Sequence, residues 1–395
     1  MKKTYGIIAA IVVIVIILVG VFAYISYTPA KKSSSTALAS ATINGAGGTL
    51  VYPLMTVWTG AYSSAEPSIT VNYNPVGSGT GITDFTKQIV NFGESDAPMT
   101  AAQYKALPNG TTALTIPISA SAIVPAYNIK LANGSECQNG LNFSGAVLAD
   151  IFLGNITTWN DPAIQALQSS SVASQLPNTP ITTVHRSDGS GTMFAFTNFL
   201  YDSSNAWASK VGVPSTTPAW PTTPSEEAAP KNAGVAAAIA EINGAIGPLE
   251  ISYILENTGE TSEYYGTVQN AAGNFILANV SNIAGALQAG DNAVPLPAGN
   301  APWTSVSIVN DIFNDSSAAT IYPIVTMTYA LVYQEQNYSG YSQADATATV
   351  NFLSWIVDSG QSLGTGLGYV PLPANIVAVD DATLKLVTYN GAAVI

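Results

Sequence analysis

Three short runs of glycine and hydroxyl residues constrain this 395-residue chain more than any other feature. They are Gly45-Ala46-Gly47-Gly48-Thr49, Gly77-Ser78-Gly79-Thr80-Gly81 and Arg186-Ser187-Asp188-Gly189-Ser190-Gly191-Thr192. Each follows an apolar stretch with strand character and precedes a stretch with helical periodicity. Ala41–Asn44 leads through the first run into a helix-like Tyr52–Ser63, with Leu54, Val57, Trp58 and Ala61 on one face. Ile69–Tyr73 alternates as a strand, Val76–Ile82 reads as a loop, and Asp84–Val90 reads as a helix. Asn91–Pro98 then reads as a strand end and turn. Ala113–Ala126 and Thr320–Tyr333 are long β-branched runs, and Ala346–Asp358 has helical spacing. Strands alternating with helices predict an α/β chain. In open α/β sheets ligands bind at the carboxyl ends of strands, where turns of this kind collect. The Pro/Thr-rich stretch Pro214–Pro230 reads as an excursion loop with no ligand role.

The third run holds the only arginine of the chain, Arg186, beside its only histidine, His185. A guanidinium presents donors in a fixed fork that matches a tetrahedral oxyanion, and Asp188 stands where it can orient that fork. Gly189 and Gly191 allow close backbone approach, while Ser190 and Thr192 add hydroxyls. The apolar run Met193-Phe194-Ala195-Phe196 reads as a helix start, so free N–H groups would face an anion there. A plain turn and N-cap, with Arg186 paired to Asp188 at the surface, fits the same residues. No lysine follows the glycines in the manner of a nucleotide-binding loop, which disfavours nucleotide hydrolysis.

Hydrophobic residues make up 47% of the chain and charged residues only 9%, ample for large cores and incompatible with a disordered chain. The net charge is −13; Lys2, Lys3, Lys31 and Lys32 all lie near the N-terminus, so the rest carries −17. Nucleic acid is therefore an unsuitable partner, and an anion would need a closed pocket of local donors rather than a basic patch. One cysteine, Cys137, excludes an intrachain disulfide, and with one histidine leaves no transition-metal site expected; no cofactor is expected.

Residues 7–27 are almost wholly apolar and follow Lys2 and Lys3. At 1.5 Å per residue they would span about 31 Å, the thickness of a bilayer core. The lysines favour a cytoplasmic N-terminus with the body outside the cell. A cleaved signal is the competing reading, since Ala37-Leu38-Ala39 resembles a cleavage site. Residues 28–42 read as a linker. Seven N-x-[ST] sequons, at Asn109, Asn133, Asn142, Asn155, Asn279, Asn314 and Asn337, suit an extracellular glycoprotein.

Asp96 breaks the pattern of donors. A carboxylate repels an anion unless that anion carries a proton to donate, as hydrogen phosphate does and sulfate does not. Asp96 could equally cap the turn before Pro98. The low charge and high Ser/Thr content would also suit an acidic habitat.

At these residues the chain resembles the PstS family, the extracytoplasmic phosphate-binding proteins of ABC importers. The resemblance is carried by GAGGTLVYPLMTVW (45–58), VNYNPVGSGTGI (71–82), FGESDAP (92–98), DIFLGNITTWNDPAI (150–164), VHRSDGSGTMFAFTNFL (184–200), NAGVAAAIAEINGAIG (232–247) and YPIVTMTYALV (322–332). It implies a two-lobed periplasmic-binding-protein-like fold, each lobe a sheet flanked by helices, with ligand in the hinge cleft. The implied lobes are 43–122 with 322–395, and 123–321. By resemblance, Thr49, the backbone of Leu50, and Ser78 donate to phosphate, and Asp96 accepts its proton. Arg186, supported by Asp188, makes the charged contact, and Ser190, Gly191 and Thr192 close the cage. Leu50 stands where an aromatic is common, and the serine/glycine order of 77–81 departs from the usual one. The implied protein is a monomeric, non-enzymatic receptor for inorganic phosphate, delivering it to a membrane permease. Alternatives are a receptor for arsenate, sulfate or molybdate, or an extracellular phosphatase or serine hydrolase using Ser187 or Ser190 with His185. The latter conflicts with strand alternation, which points His185 and Arg186 to opposite faces.

Overall fold

The computed structural model describes residues 38–395, apart from 257–262, 294–295, 305, 307–308, 310–318 and 339. The apolar segment 7–27, the linker up to residue 37 and the sequon at Asn314 lie outside the described residues. Among the described residues no helix is long and apolar enough to cross a membrane.

The α/β expectation holds. Strand β1 (Ala41–Gly47) leads to helix α1 (Tyr52–Ala65), and β2 (Ile69–Pro75) to α2 (Ser78–Thr86). β3 (Phe92–Ser95) and the long β4 (Ala113–Asn128) follow. β5 (Thr182–Arg186) leads to α3 (Gly191–Ser203), and β6 (Glu226–Ala229) to α4 (Lys231–Glu241). β7 (Ala245–Glu250), β8 (Val325–Tyr333), α5 (Gln343–Trp355) and α6 (Ala374–Leu384) complete the elements that position the site. The main sheet runs β2-β1-β3-β8-β4-β7-β5-β6. β1 lies parallel to β2 and β3, β5 lies parallel to β6 and β7, and β8 and β4 are antiparallel to their neighbours.

Every residue of β4 is buried, which accounts for its nearly unbroken apolar sequence: both its faces are covered. Its first part, Ala113–Ala122, pairs with β8, and its last part, Ile123–Asn128, pairs with β7. The two halves of the sheet thus meet at the step from Ala122 to Ile123. Trp58, Trp159, Trp207 and Trp303 are fully buried packing residues.

Three local expectations change. Residues 226–229, inside the stretch read as an excursion loop, form the edge strand β6. Helix α2 begins at Ser78, inside the second glycine run, and ends at Thr86 rather than spanning 84–90. Gly77 makes this early start possible: its φ of +90° turns the chain sharply out of β2, a conformation that favours glycine. Asp380 and Asp381, adjacent acids of the kind that sit in solvated turns, lie instead on α6, with Asp380 fully buried. Of the sequons, Asn109, Asn133 and Asn155 are exposed, whereas the Asn142 side chain is engaged with the Leu167 carbonyl at 2.9 Å and Thr267 Oγ1 at 2.7 Å.

At the junction of the sheet halves, Glu250 is fully buried. Ser121 Oγ donates to its Oε1 at 2.5 Å and Ser252 Oγ to its Oε2. Burial pushes this carboxyl up to about 8, against the lowering effect of those hydroxyls. The folded protein therefore holds a proton that the unfolded chain releases in the ordinary carboxylate range. The Glu250 contribution to stability falls as pH rises toward 8, by up to about 1.4 kcal/mol per unit. In urea unfolding at pH 5.5 and 8, Glu250→Gln loses less stability across the interval than the wild type. Equal losses would show that Glu250 carries no such proton.

Candidate functional site

The carboxyl ends of β1, β2, β3 and β5 converge, and the three glycine-rich runs meet there. Arg186 ends β5 and is only 4% exposed. Asp188 holds it in a two-pronged grip, accepting from Nε at 2.7 Å and from Nη2 at 2.5 Å. The Lys231 N–H also donates to Asp188 Oδ1, at 2.9 Å. Burial alone would raise the Asp188 carboxyl, but the hydrogen bonds and charge of Arg186 outweigh it and hold it below its ordinary value. The third prong of the fork, Nη1, donates to Asn232 Oδ1 at 3.1 Å.

Asn232, the second residue of α4, was not singled out as a site residue in the sequence, although it heads one of the motifs. It is fully buried and ties three runs of chain together. Its N–H donates to Thr49 Oγ1 at 3.3 Å, and its side chain lies 3.3–3.4 Å from Thr192 Oγ1. Thr49 is further fixed by Tyr253, whose hydroxyl donates to the Thr49 carbonyl at 2.6 Å. The Leu50 carbonyl accepts from Tyr369 at 2.5 Å, with the Leu50 side chain in the core.

Ser78 is the other knot. Its Oγ accepts from the N–H groups of Asp96 at 3.1 Å and Gly191 at 3.2 Å, and donates to Asp96 Oδ2 at 3.0 Å. Gly79 N–H donates across to the Gly189 carbonyl at 3.2 Å. Space is tight enough that a Cβ at Gly48 would sit 2.6 Å from both Asp96 Oδ2 and Glu94 Oε2. Thr49, Leu50, Ser78, Asp96, Arg186, Gly191, Thr192 and the supporting Asp188 are thus brought together, along with Ser190.

Ser190 has a structural engagement. Its Oγ caps α3, accepting from the Met193 N–H at 3.3 Å, and its own N–H donates to the Thr216 carbonyl at 2.9 Å. Only its hydroxyl proton remains for a ligand. The Thr216 contact also shows that the excursion loop backs the anion loop directly. Trp220 of that loop stacks on His185, ring centroids 4.8 Å apart. His185 Nδ1 lies 3.1 Å from the Arg186 carbonyl. The imidazole is thus stacked on the loop with its Nδ1 against a backbone carbonyl, not engaged with a serine hydroxyl as the base of a serine hydrolase would be.

Beside Asp96 lies a second buried carboxylate, Glu94. It accepts from the Gly48 N–H and from Tyr73 at 2.8 Å, and its Oε1 lies within hydrogen-bond reach of Thr328 Oγ1, which also reaches Asp96 Oδ1 at 3.0 Å. Burial, reinforced by the charge of Asp96, pushes Glu94 well above the usual carboxylate range. Asp96 is raised by burial too, but the hydroxyls of Thr328 and Ser78 and the charge of Arg186 work against the rise. Glu94 is two residues from Asp96, so strand alternation puts both on one face. That spacing was the available signal. The arrangement offers one oriented cation, hydroxyl and N–H donors, and a carboxylate acceptor: equipment for gripping a small protonated oxyanion without changing it.

Comparison with known proteins agrees. The PBP superfamily domain matches residues 32–359. The phosphate-binding protein PstS of Xylella fastidiosa (strain 9a5c) is 33% identical over 338 residues, 86% of this chain and 83% of that protein. The phosphate-binding protein PstS of Methanocaldococcus jannaschii is 31% identical over 326 residues, covering 82% of this chain and 80% of that protein. The crystal structure of a phosphate binding protein from Stenotrophomonas maltophilia matches with a TM-score of 0.65 at 20% identity, covering 90% of this chain and 96% of that one. At that identity it establishes the fold, the two-lobed binding-protein architecture expected from the sequence.

The role of Asn232 is open to direct test. Asn232→Ala leaves Arg186 Nη1 and the Thr192 hydroxyl without their buried side-chain partner, while the backbone bond to Thr49 stays, which costs roughly 1–3 kcal/mol. Denaturant unfolding measures it; a change below about 0.5 kcal/mol, typical of an uninvolved surface position, would contradict the role given to Asn232.

Proposed function

The chain belongs to the PstS family of phosphate-binding proteins within the PBP superfamily, and on that premise we propose that it captures inorganic phosphate outside the cell. It then delivers the anion to the membrane permease of an ABC phosphate importer. The observation that carries this reading is the buried Arg186, held from one side by Asp188 and from another by Asn232, facing the ring of Thr49, Ser78, Asp96 and Thr192. A chain with a strongly negative overall charge can attract an anion only through such local, oriented donors. Phosphate would be bound by Thr49, the Leu50 backbone, Ser78, Arg186, Ser190, Gly191 and Thr192. Asp96 accepts its proton. Because Asp96 already receives the Ser78 and Thr328 hydroxyl protons, a fully deprotonated anion meets an acceptor with nothing to give it.

The lobes are 43–122 with 322–395, and 123–321. Support comes from the division of β4 pairing at Ala122–Ile123 and from the return of the chain at Ile321–Val325, where Ile123 N–H donates to the Ile324 carbonyl at 2.9 Å. The links from Gly79 to Gly189, Ser78 to Gly191 and Thr49 to Asn232 then bridge the two lobes. Hinge closure around the anion supplies the state the permease reads, and release needs no chemistry. The segment 7–27 anchors the monomeric body to the outer face of the membrane.

Calorimetric titration of the full chain, stripped of ligand, tests this reading. Phosphate binds one to one and excess sulfate does not compete. Arg186→Ala abolishes measurable binding, and Asp96→Asn admits sulfate. A wild-type response equal for sulfate and phosphate, or no heat with phosphate, would overturn it.

A further inference from the structure

One hydroxyl beside Asp96 stands between two carboxyl oxygens that cannot donate when ionised. Thr328 Oγ1, on β8, lies within hydrogen-bond reach of Glu94 Oε1 and, at 3.0 Å, of Asp96 Oδ1. Tyr73 OH, on β2, lies 2.8 Å from Glu94 Oε2 and 2.8 Å from the Gly48 carbonyl. A hydroxyl has one proton to give, and an ionised carboxylate has none. With both acids ionised, one of the two Thr328 contacts would set lone pair against lone pair in a buried setting. A single proton on Glu94 resolves the conflict at Thr328. Oε1–H then donates to Thr328, Thr328 donates to Asp96 Oδ1, and Oε2 accepts from the Gly48 N–H. The Ser78 hydroxyl donates to the remaining Asp96 oxygen, so every donor around Asp96 points at an ionised acceptor. The reverse assignment, with the proton on Asp96 Oδ1, would satisfy Thr328 and Ser78 equally well; the charge of Arg186 acting on Asp96 is what favours the ionised form there.

We infer that Glu94 is a neutral acid that, through Thr328, keeps Asp96 ionised and aimed into the anion cage, and so sets the preference for a protonated oxyanion. Glu94 acts through Asp96 and is a positioning residue. The inference rests on the phosphate reading above and names the group on which its selectivity depends. The other titratable groups facing the pair agree with this placement. Arg186 is the cation that favours an ionised Asp96, while Tyr253 and Tyr329, both near Asp96, are held neutral with their phenols pushed up by burial. The chain thereby buries two carboxyls near an anion site while only one carries charge.

Two measurements on the full chain test this. Infrared difference spectra at pH 7, wild type minus Glu94→Gln, show a carboxylic-acid C=O band that the variant has lost. The ratio of phosphate to sulfate affinity falls about tenfold in Glu94→Ala, because Asp96 loses its fixed orientation, and is restored in Glu94→Gln, whose amide can still donate to Thr328. Thr328→Val keeps the band yet loses the discrimination, which separates the relay from the acid itself. A band unchanged in Glu94→Gln but lost in Asp96→Asn would put the proton on Asp96 and overturn the inference. So would a Glu94→Gln chain that discriminates no better than Glu94→Ala. A wild type that shows the band yet binds no phosphate at all would instead overturn the functional reading, leaving the proton assignment measured on its own.

Discussion

The grip of Asp188 on Arg186 is the interaction from which the rest of the site follows. A guanidinium with 4% exposure cannot be left without partners, since an unpaired buried charge costs several kcal/mol. Asp188 engages two of its nitrogens, Asn232 a third, and the geometry of both partners is itself enforced. Lys231 N–H fixes Asp188, while the left-handed turn at Gly77 brings the second glycine run so close that a Cβ there would sit 2.6 Å from Asp188 Oδ2. The only arginine of the chain is thus oriented before any ligand arrives. Preorganisation of that kind raises affinity by removing the ordering cost from the binding step.

Around this cation the protein economises on charge. Only 9% of its residues are charged, and several of its acids are buried. Glu94, Glu250 and Asp380 are all pushed upward by burial, so the folded body carries protons that a random chain would have released. The consequence is a molecule whose formal charge overstates the negative field inside its own cleft. On the proposed reading, an anion entering the cage would meet Arg186, oriented hydroxyls and one ionised Asp96, rather than two carboxylates.

Much of this was legible in the sequence because the relevant residues sit in local patterns. The glycine-rich runs, the strand–loop–helix rhythm and the pairing of Arg186 with Asp188 two positions away all follow from short-range chemistry. Most of β4 was readable from its long, largely apolar β-branched run. The helix after Gly77 was misplaced because a glycine-rich stretch reads as loop, whereas one positive φ sufficed to start the helix within it. Asn232, Tyr73, Thr328 and Tyr253 could not be read from spacing. Thr328 lies 232 positions from Asp96, and Tyr253 lies 204 from Thr49; only the sheet order brings them together. Glu94 is the instructive miss. Strand alternation placed it on the same face as Asp96, but without the neighbours at Gly48 and Thr328 nothing marked it as a proton holder. The buried Asp380 was hidden for the opposite reason: two adjacent acids look like solvent-facing residues until a helix turns one of them inward.

The central claim is that this cage holds a phosphate that keeps its proton, presented to an ionised Asp96. Phosphorus-31 magnetic resonance of the bound anion, followed as the pH is taken from acid to alkaline through the range where free phosphate titrates, tests it most directly. The account predicts a bound signal whose position stays fixed while the free signal moves, because the protein fixes the protonation state of its ligand. A bound signal that titrates in step with free phosphate would contradict it.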